Sequence, residues 1–270
     1  MDAEVRRELG SLPRSLADLV AQHLVAAGQL VDEDPEQALL HARFARSKAA
    51  RIGVVREATG LTAYHAGEWA EALSELRAAR RMSGGPGHLA VIADCERALG
   101  RPERALEVAR SPEVKELGEA ERIELKIVAA GARRDMGQLE AAVVMLQGPE
   151  LDPSRPRPWS ARLFYAYADN LAAAGRREEA VRWFLHAAEA DLDEETDAEE
   201  RARELAEELA SPDEAKDEAN VDPGQNTAQR DPEVHPPSDR EAEETTSPDA
   251  HHAERPVPAA PTSEEGTGQS

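Results

Sequence analysis

The sequence has little cysteine, few aromatic residues and no long apolar run. One of its 270 residues is a cysteine, Cys95, and 3% are aromatic. A single cysteine forms neither an intramolecular disulfide nor a cysteine-based zinc site, so we expect a protein of a reducing compartment. No segment approaches the roughly 18 to 20 apolar residues that cross a bilayer, and the first residues lack the apolar stretch of a signal peptide. These absences predict a cytoplasmic protein.

Sequence signatures of catalysis are missing as well. There is no P-loop, dinucleotide glycine pattern or HExxH motif, and Gly84-Gly85-Pro86-Gly87 has no preceding strand, which favours a turn over a phosphate cradle. Cys95 lies among alanines, which favours a packed thiol over a nucleophile. His251-His252 define no coordination geometry. Four further histidines lie in different predicted helices or turns: His23, His41, His65 and His88. We expect no catalytic residue, no cofactor and no metal site.

Alanine and acidic residues are abundant. The chain has 50 alanines, which favour helix, and 54 acidic against 32 basic residues, a net charge of -22. Hydrophobic content falls abruptly at Ser211. The last 60 residues hold nine of the 18 prolines, 15 acidic residues against four basic ones, and only three valines among the large apolar types. Such a segment cannot offset an ordering cost of roughly 1 to 2 kcal/mol per residue, so we predict a disordered acidic tail over 211–270.

A glycine followed five residues later by an alanine recurs four times. The glycines are 33, 37 and 38 residues apart, and about 14 residues of helical periodicity precede and follow each one. The pattern predicts a helix closed by a left-handed glycine, then a second helix that crosses the first at a small residue. A glycine or an alanine also occurs seven positions before each of these glycines. The three sets are Gly67, Gly100, Gly137 and Gly175; Ala72, Ala105, Ala142 and Ala180; and Gly60, Ala93, Ala130 and Ala168.

Further helices are predicted at both ends of this repeat. A degenerate first unit spans about residues 13–28 and 35–51, with Asp34 as the N-cap and Pro35 at the first helical position. Pro86, Pro102 and Pro158 indicate other helix starts. Residues 193–210 form one more amphipathic pattern, with Leu205 and Leu209 one turn apart, as expected of a helix that covers the end of a repeat array.

This pattern resembles the tetratricopeptide repeat (TPR), a helix-turn-helix unit of about 34 residues that stacks into a right-handed solenoid. The resemblance covers roughly residues 14–190. It implies an all-α, TPR-like helical solenoid of about five units plus a C-terminal capping helix. The domain organisation is then an N-terminal extension over 1–13, the solenoid with its cap over 14–210, and the disordered acidic tail over 211–270. It also implies a non-enzymatic scaffold whose concave groove binds a protein or peptide segment.

The resemblance places the groove on the first helix of each unit. Arg97 and Arg134 occupy equivalent positions in consecutive units, and we expect their guanidinium groups to converge on one carboxylate or phosphate of a ligand. The alternative is that they are solvated or pair with protein acids, Arg97 with Asp94 and Arg134 with Asp135. The groove residues predicted in this way are Asp18, Gln22, Glu57, Tyr64, Asp94, Arg97, Arg134, Tyr165 and Asp169.

Two clusters leave other interpretations open. Phe164, Tyr167 and Phe184 fit core positions, whereas Trp159, Tyr165 and Trp183 do not, so these three either seal the terminal helix or anchor a partner. The second helices carry a basic cluster that is either a solvated face, a dock for the acidic tail or a contact for nucleic acid. Its members are Arg43, Arg46, Lys48, Arg51, Arg77, Arg80 and Arg81.

The alternatives in function follow from these clusters. The first is a regulatory adaptor that its own acidic tail autoinhibits, with Thr245, Thr246 and Ser247 as candidate phosphorylation sites. An RNA-binding solenoid is less favoured, because the chain is strongly acidic and its basic cluster lacks interleaved aromatic residues. We expect a protein partner and no membrane partner.

Overall fold

A computed structural model describes residues 3–210, and over these residues the chain is entirely helical, with no β-strand. The prediction of an all-α protein is confirmed. The predicted tail lies outside the described residues. The helices are α1 (Ala3–Leu9), α2 (Arg14–Leu30), α3 (Pro35–Ala49), α4 (Gly53–His65), α5 (Trp69–Ser83), α6 (Leu89–Ala98), α7 (Pro102–Ala109), a short 3-10 helix (Pro112–Glu116), α8 (Glu119–Asp135), α9 (Leu139–Leu146), α10 (Ser160–Ala173), α11 (Arg177–Ala190) and α12 (Ala198–Ala210).

Helices α2 to α11 form five consecutive pairs, and four of the pairs turn on a glycine in the left-handed region. The φ angles are 73° at Gly67, 72° at Gly100 and Gly137, and 79° at Gly175. At each turn the glycine N–H donates to the carbonyl three residues back, and the next N–H donates to the carbonyl five residues back. These two bonds satisfy carbonyls that the end of a helix leaves open. The predicted glycine turns are confirmed.

The small residues lie where the paired helices pack. The alanines of the repeat, Ala72, Ala105, Ala142 and Ala180, are fully buried. A Cβ on Gly60 would lie 2.6 Å from Cγ of Leu76, so α4 and α5 approach too closely there for any side chain. Ala93, Ala130 and Ala168 are buried at the matching position of the later pairs. The predicted crossing positions are confirmed.

Two second helices are much shorter than the sequence pattern predicts. Helices α3 and α5 have 15 residues and α11 has 14, whereas α7 and α9 have eight each. Each short helix ends just before a proline, at Ser111-Pro112 and Gly148-Pro149. Because a residue that precedes proline avoids the helical region, neither helix continues. The prediction of about 14 residues is wrong in these two pairs.

The predicted helix starts are correct in part. Asp34 caps α3, its Oδ1 accepting a hydrogen bond of 3.0 Å from the N–H of Gln37, and α7 begins at Pro102. In contrast, α6 begins at Leu89 and α10 at Ser160, beyond Pro86 and Pro158. Gly28 does not end the first helix of the degenerate unit, because α2 continues to Leu30.

The last helix also begins later than predicted, at Ala198 instead of residue 193. The preceding turn is held by Asp191, whose carboxylate accepts hydrogen bonds from the N–H of Glu195 and from the N–H and hydroxyl of Thr196. Glu194 in this turn has a φ of 53°, which a helix does not allow. Helix α12 buries Ala198, Ala202 and Leu205 against α11, while Leu209 is 38% exposed.

The core divides into four clusters along the chain. The first joins Leu9 of α1 to Val20 and Val55, so the segment predicted as an N-terminal extension contributes to the core. The next two extend from α3 to α6 and from α6 to α8. The last is the largest and contains Phe164, Phe184 and the buried side of α12. None of the helices within residues 3–210 is both long and apolar enough to cross a membrane.

Candidate functional site

All nine predicted groove residues lie on first helices, and three of them belong to one chain of direct hydrogen bonds. The hydroxyl of Tyr64 on α4 donates to Oδ2 of Asp94 on α6 at 2.7 Å. Arg97 Nη1 donates to the other Asp94 oxygen at 2.9 Å, and Arg97 Nε donates to Asp135 Oδ2 on α8 at 2.8 Å. We call Tyr64, Asp94, Arg97 and Asp135 the polar chain. It connects three consecutive helix pairs.

The guanidinium of Arg97 rests directly on the backbone of α8. A Cβ on Gly131 would lie 2.6 Å from Arg97 Cζ, so only glycine admits this contact. Burial opposes the charge of Arg97, but the hydrogen bonds and charges of Asp135 and Asp94 outweigh it and raise the pKa of Arg97. Burial and the bond to Asp94 raise the pKa of Tyr64 as well. Arg97 and Tyr64 therefore both keep their protons near neutral pH.

Arg134 on α8 forms a separate ion pair with Asp169 on α10, each side chain being 34% exposed. The two arginines therefore do not converge on an open position, because each already binds a carboxylate of the next helix pair. The alternative in which they pair with protein acids is confirmed for Arg97 with Asp94. For Arg134 the predicted partner was wrong, since Asp169 takes the place of Asp135.

The other groove residues lie outside the polar chain. Glu57 Oε1 is 2.8 Å from Nε2 of His88 at the start of the next pair. Tyr165 packs on Phe184 with ring centroids 5.2 Å apart, and burial together with a hydrogen bond to Asp197 raises its pKa to about 12. Asp18 and Gln22 are exposed on α2, where they line a depression together with Val25 and Gln29.

Trp159 and its aromatic neighbours belong mainly to the core. Phe164, Tyr167 and Phe184 are buried, which confirms their predicted positions. Trp159 is only 8% exposed and joins the same cluster, so it offers no anchor to a partner. Trp183 packs edge-on against Phe164 and Tyr167 at the margin of that cluster.

The basic cluster of the second helices is largely neutralised by acids on the following helices. Arg43 donates to Glu71 at 3.0 Å from Nε, Arg46 to Glu75 at 2.6 Å, Arg77 to Glu96 at 2.6 Å, and Arg80 contacts Glu113 at 2.5 Å. Glu75 and Glu96 are 4% and 0% exposed. Sequence reasoning missed these pairs because their members are 19 to 33 residues apart, and only the packing of one helix on the next brings them together.

Helix packing also creates a histidine pair that the sequence does not indicate. His23 on α2 and His41 on α3 have their Nδ1 atoms 2.9 Å apart, and the ring of His23 stacks on Phe44. Within residues 3–210, no three His, Cys, Asp or Glu side chains stand close enough to hold a metal ion. Cys95 is buried, and burial raises the pKa of its thiol to about 12, so the prediction of a packed thiol is confirmed.

No protein-family model matches this chain, and no curated protein sequence matches it. The resemblance to the TPR family therefore depends on the repeat pattern.

Proposed function

We propose that the five helix pairs stack as a TPR-like α-solenoid capped by α12, with the first helices on one face and the second helices on the other. The identical turns at Gly67, Gly100, Gly137 and Gly175 support this arrangement, because equal turns give each pair the same internal geometry. The packing of α8 on both α6 and α10 supports it as well, since first helices of successive units are neighbours in such a stack.

The protein is, in our proposal, a cytoplasmic, non-enzymatic scaffold that binds a segment of a partner protein on the face of the first helices. The observation that carries this function is the polar chain. Its charged side chains are partly exposed, from 22% for Arg97 to 35% for Asp135, yet hydrogen bonds across three helix pairs hold them in place. Groups that are ordered before binding lose little entropy when a partner arrives, which favours recognition over mere solvation.

The contacting segment would be polar and of mixed charge. Asp94 and Asp135 accept hydrogen bonds from a partner's basic or amide groups, while Arg97 and Arg134 retain guanidinium N–H groups for its carboxylates. The lysines and asparagines that clamp a terminal carboxylate in chaperone-binding relatives of the TPR family are missing at these positions. An internal segment therefore fits this face better than a chain end.

The test is capture of partners from a lysate with the full-length chain as bait. We expect Arg97→Gln with Arg134→Gln to lower partner recovery at least about tenfold, because truncating a charged contact in an interface costs roughly 2 to 5 kcal/mol. Arg43→Gln with Arg80→Gln is the matched control, since it removes the same number of ion pairs between helices from the second-helix face.

The recovery of partners by each variant distinguishes the possible binding faces and functions. Equal recovery by the wild type and the Arg97/Arg134 variant would refute binding on the first-helix face. Loss in the control alone would move the binding face to the basic cluster, and recovery of nucleic acid there would favour the RNA-binding alternative. Higher recovery after deletion of residues 211–270 from the bait would favour the autoinhibited adaptor.

A further inference from the structure

The unequal lengths of the helices open a cleft beside α8. Helix α8 has 17 residues and a length of about 25 Å, whereas its neighbours α7 and α9 have eight residues each and a length of about 12 Å. The C-terminal ends of the two short helices lie against α8, and both stop there at a proline. On this side, the first three turns of α8 are consequently flanked by the C-terminal end of α7, the 3-10 helix and the connection around Glu150.

The cleft has a volume of about 370 Å³, within the range of small-molecule sites. Its floor is apolar and consists of Leu106, Val114, Ile123 and Met145 with smaller alanine surfaces. Four elements contribute to the wall: α7, the 3-10 helix, α8 and the end of α9. A cleft that is walled on several sides receives the body of a small molecule more readily than a continuous polypeptide. At about 30 Å³ for each non-hydrogen atom with its hydrogens, the volume of the cleft holds about a dozen non-hydrogen atoms.

Three cations stand at the rim of this apolar floor in a chain that is otherwise acidic. Arg122 and Lys126 lie one turn apart on α8, and Arg110 follows the last residue of α7. Arg122 donates one hydrogen bond of 2.6 Å to the carbonyl of Leu117, and Lys126 is 3.3 Å from Glu150. The backbone N–H of Arg110 donates to the carbonyl of Glu107, but its guanidinium group makes no hydrogen bond or ion pair with any residue in 3–210. Most of the guanidinium donors at the rim are therefore unused.

The arginines at the rim of the cleft differ from the arginines that link one helix pair to the next. Arg43, Arg46, Arg77 and Arg97 all donate to carboxylates of the following pair. At the cleft, Glu150 is engaged by Lys126, and Glu119 is left as the other acid of the lining. The rim thus keeps an excess of positive charge directly above an apolar surface.

We propose that this cleft binds a small amphiphilic carboxylate, with its apolar body against Leu106, Ile123 and Met145 and its carboxylate between Arg110 and Arg122. A guanidinium pair matches the planar geometry of a carboxylate, and a medium-length aliphatic chain matches the volume of the floor. The site shares α8 with the polar chain, but it uses the first half of that helix, whereas Asp135 is its last residue. It is independent of the function proposed above.

Decanoate is a suitable probe, titrated into the full-length chain by calorimetry and by amide chemical shifts. We expect saturable binding at one site, with shifts centred on α7 and the first half of α8. Arg110→Glu should weaken binding at least about tenfold, the value of one charge-assisted hydrogen bond. Ala109→Phe should weaken it similarly by filling the cleft without a change of charge. Arg104→Glu, an exposed arginine on the same helix, is the matched control and should bind as the wild type does.

The comparison ligands distinguish this site from adsorption of a surfactant. Decanol and decyltrimethylammonium should bind more weakly than decanoate, because neither presents an anion to the rim. Equal binding of all three, or binding that neither variant weakens, would overturn the proposal. Failure of decanoate together with binding of a peptide that ends in an apolar residue would also overturn it, and would assign the cleft to a polypeptide chain end.

Discussion

Gly60 and Gly28 are both helical glycines, but their surroundings differ. At Gly60 a Cβ would lie 2.6 Å from Cγ and 2.8 Å from Cδ2 of Leu76, with the backbone N of Leu76 at 3.1 Å. At Gly28 no described atom lies within 4 Å of the same position. Helix propensity favours alanine over glycine by about 1 kcal/mol at either site. Packing therefore decides whether an alanine raises or lowers the free energy of unfolding at Gly60, whereas helix propensity decides it at Gly28.

Gly60→Ala should lower the free energy of unfolding by about 1 to 3 kcal/mol, the usual cost of overpacking. Gly28→Ala should raise it by up to about 1 kcal/mol. Urea denaturation followed by circular dichroism measures both changes. If Gly60→Ala proved as stabilising as Gly28→Ala, the close crossing of α4 and α5 at Leu76 would be disproved.

The success of sequence reasoning at the residue scale depended on whether a contact recurs. The turn glycines and crossing alanines repeat with a fixed offset, so the pattern itself showed their role. The ion pairs do not repeat in this way. Arg97 reaches Asp135, 38 residues on, while Arg134 reaches Asp169, 35 residues on, and nothing local distinguishes these acids from the solvated ones around them.

At the scale of elements, the length of each helix depended on single residues that the helical pattern concealed. Pro112 and Pro149 ended α7 and α9 early, although the repeat predicted about 14 helical residues after each turn glycine. Asp191 delayed α12 to Ala198 by holding the N–H groups of Glu195 and Thr196 in a turn. A periodic pattern predicts which face of a helix is buried, whereas its end is decided by local backbone chemistry.

The turn before α12 leads to a prediction about acid. Hydrogen bonds from the hydroxyl of Thr196 and from the N–H groups of Glu195 and Thr196 outweigh partial burial and hold the pKa of Asp191 below its usual value. Because the folded pKa is depressed, this contribution to stability is complete above the unfolded pKa of about 4 and is lost as pH falls through the folded pKa. Asp191→Ala should remove this contribution at any pH. We expect it to lower the free energy of unfolding by about 1 kcal/mol, the usual cost of losing a helix cap.

Hydrogen exchange of the amides in 198–210 measures this effect. Protection should fall selectively there in Asp191→Ala, while Asp193→Ala in the same turn should leave it unchanged. Asp191→Asn keeps one of the two acceptor oxygens and removes the titrating group, so it should make the protection of α12, relative to intrinsic exchange rates, insensitive to acid. Unchanged protection of α12 in Asp191→Ala would show that the buried face of Ala198, Ala202 and Leu205 suffices without the turn.

At the scale of the whole molecule, residues 3–210 have a divided core. Two side chains pack against two clusters at once: Val108 against the second and third, and Met145 against the third and fourth. The fourth contains most of the aromatic rings, whereas the first consists of smaller side chains such as Val20, Ala45 and Val55. Stability should therefore vary along the chain instead of being shared equally.

Phe184→Ala tests this division. Removal of a fully buried phenylalanine costs about 3 to 5 kcal/mol, and we expect the loss to appear as faster hydrogen exchange in α10 to α12. Exchange in α2 to α4 should keep its wild-type rates. A uniform acceleration over all the described helices would mean that the four clusters unfold as one cooperative unit.

The division of the core also has a mechanical consequence. Under tension applied at residues 3 and 210, a continuous core would resist until it ruptured in a single event. Clusters that are connected through a few side chains such as Val108 and Met145 yield one after another, and each rupture lengthens the chain before the next cluster bears the load. The helical part of this protein would then lengthen in steps under a pull instead of giving way at once.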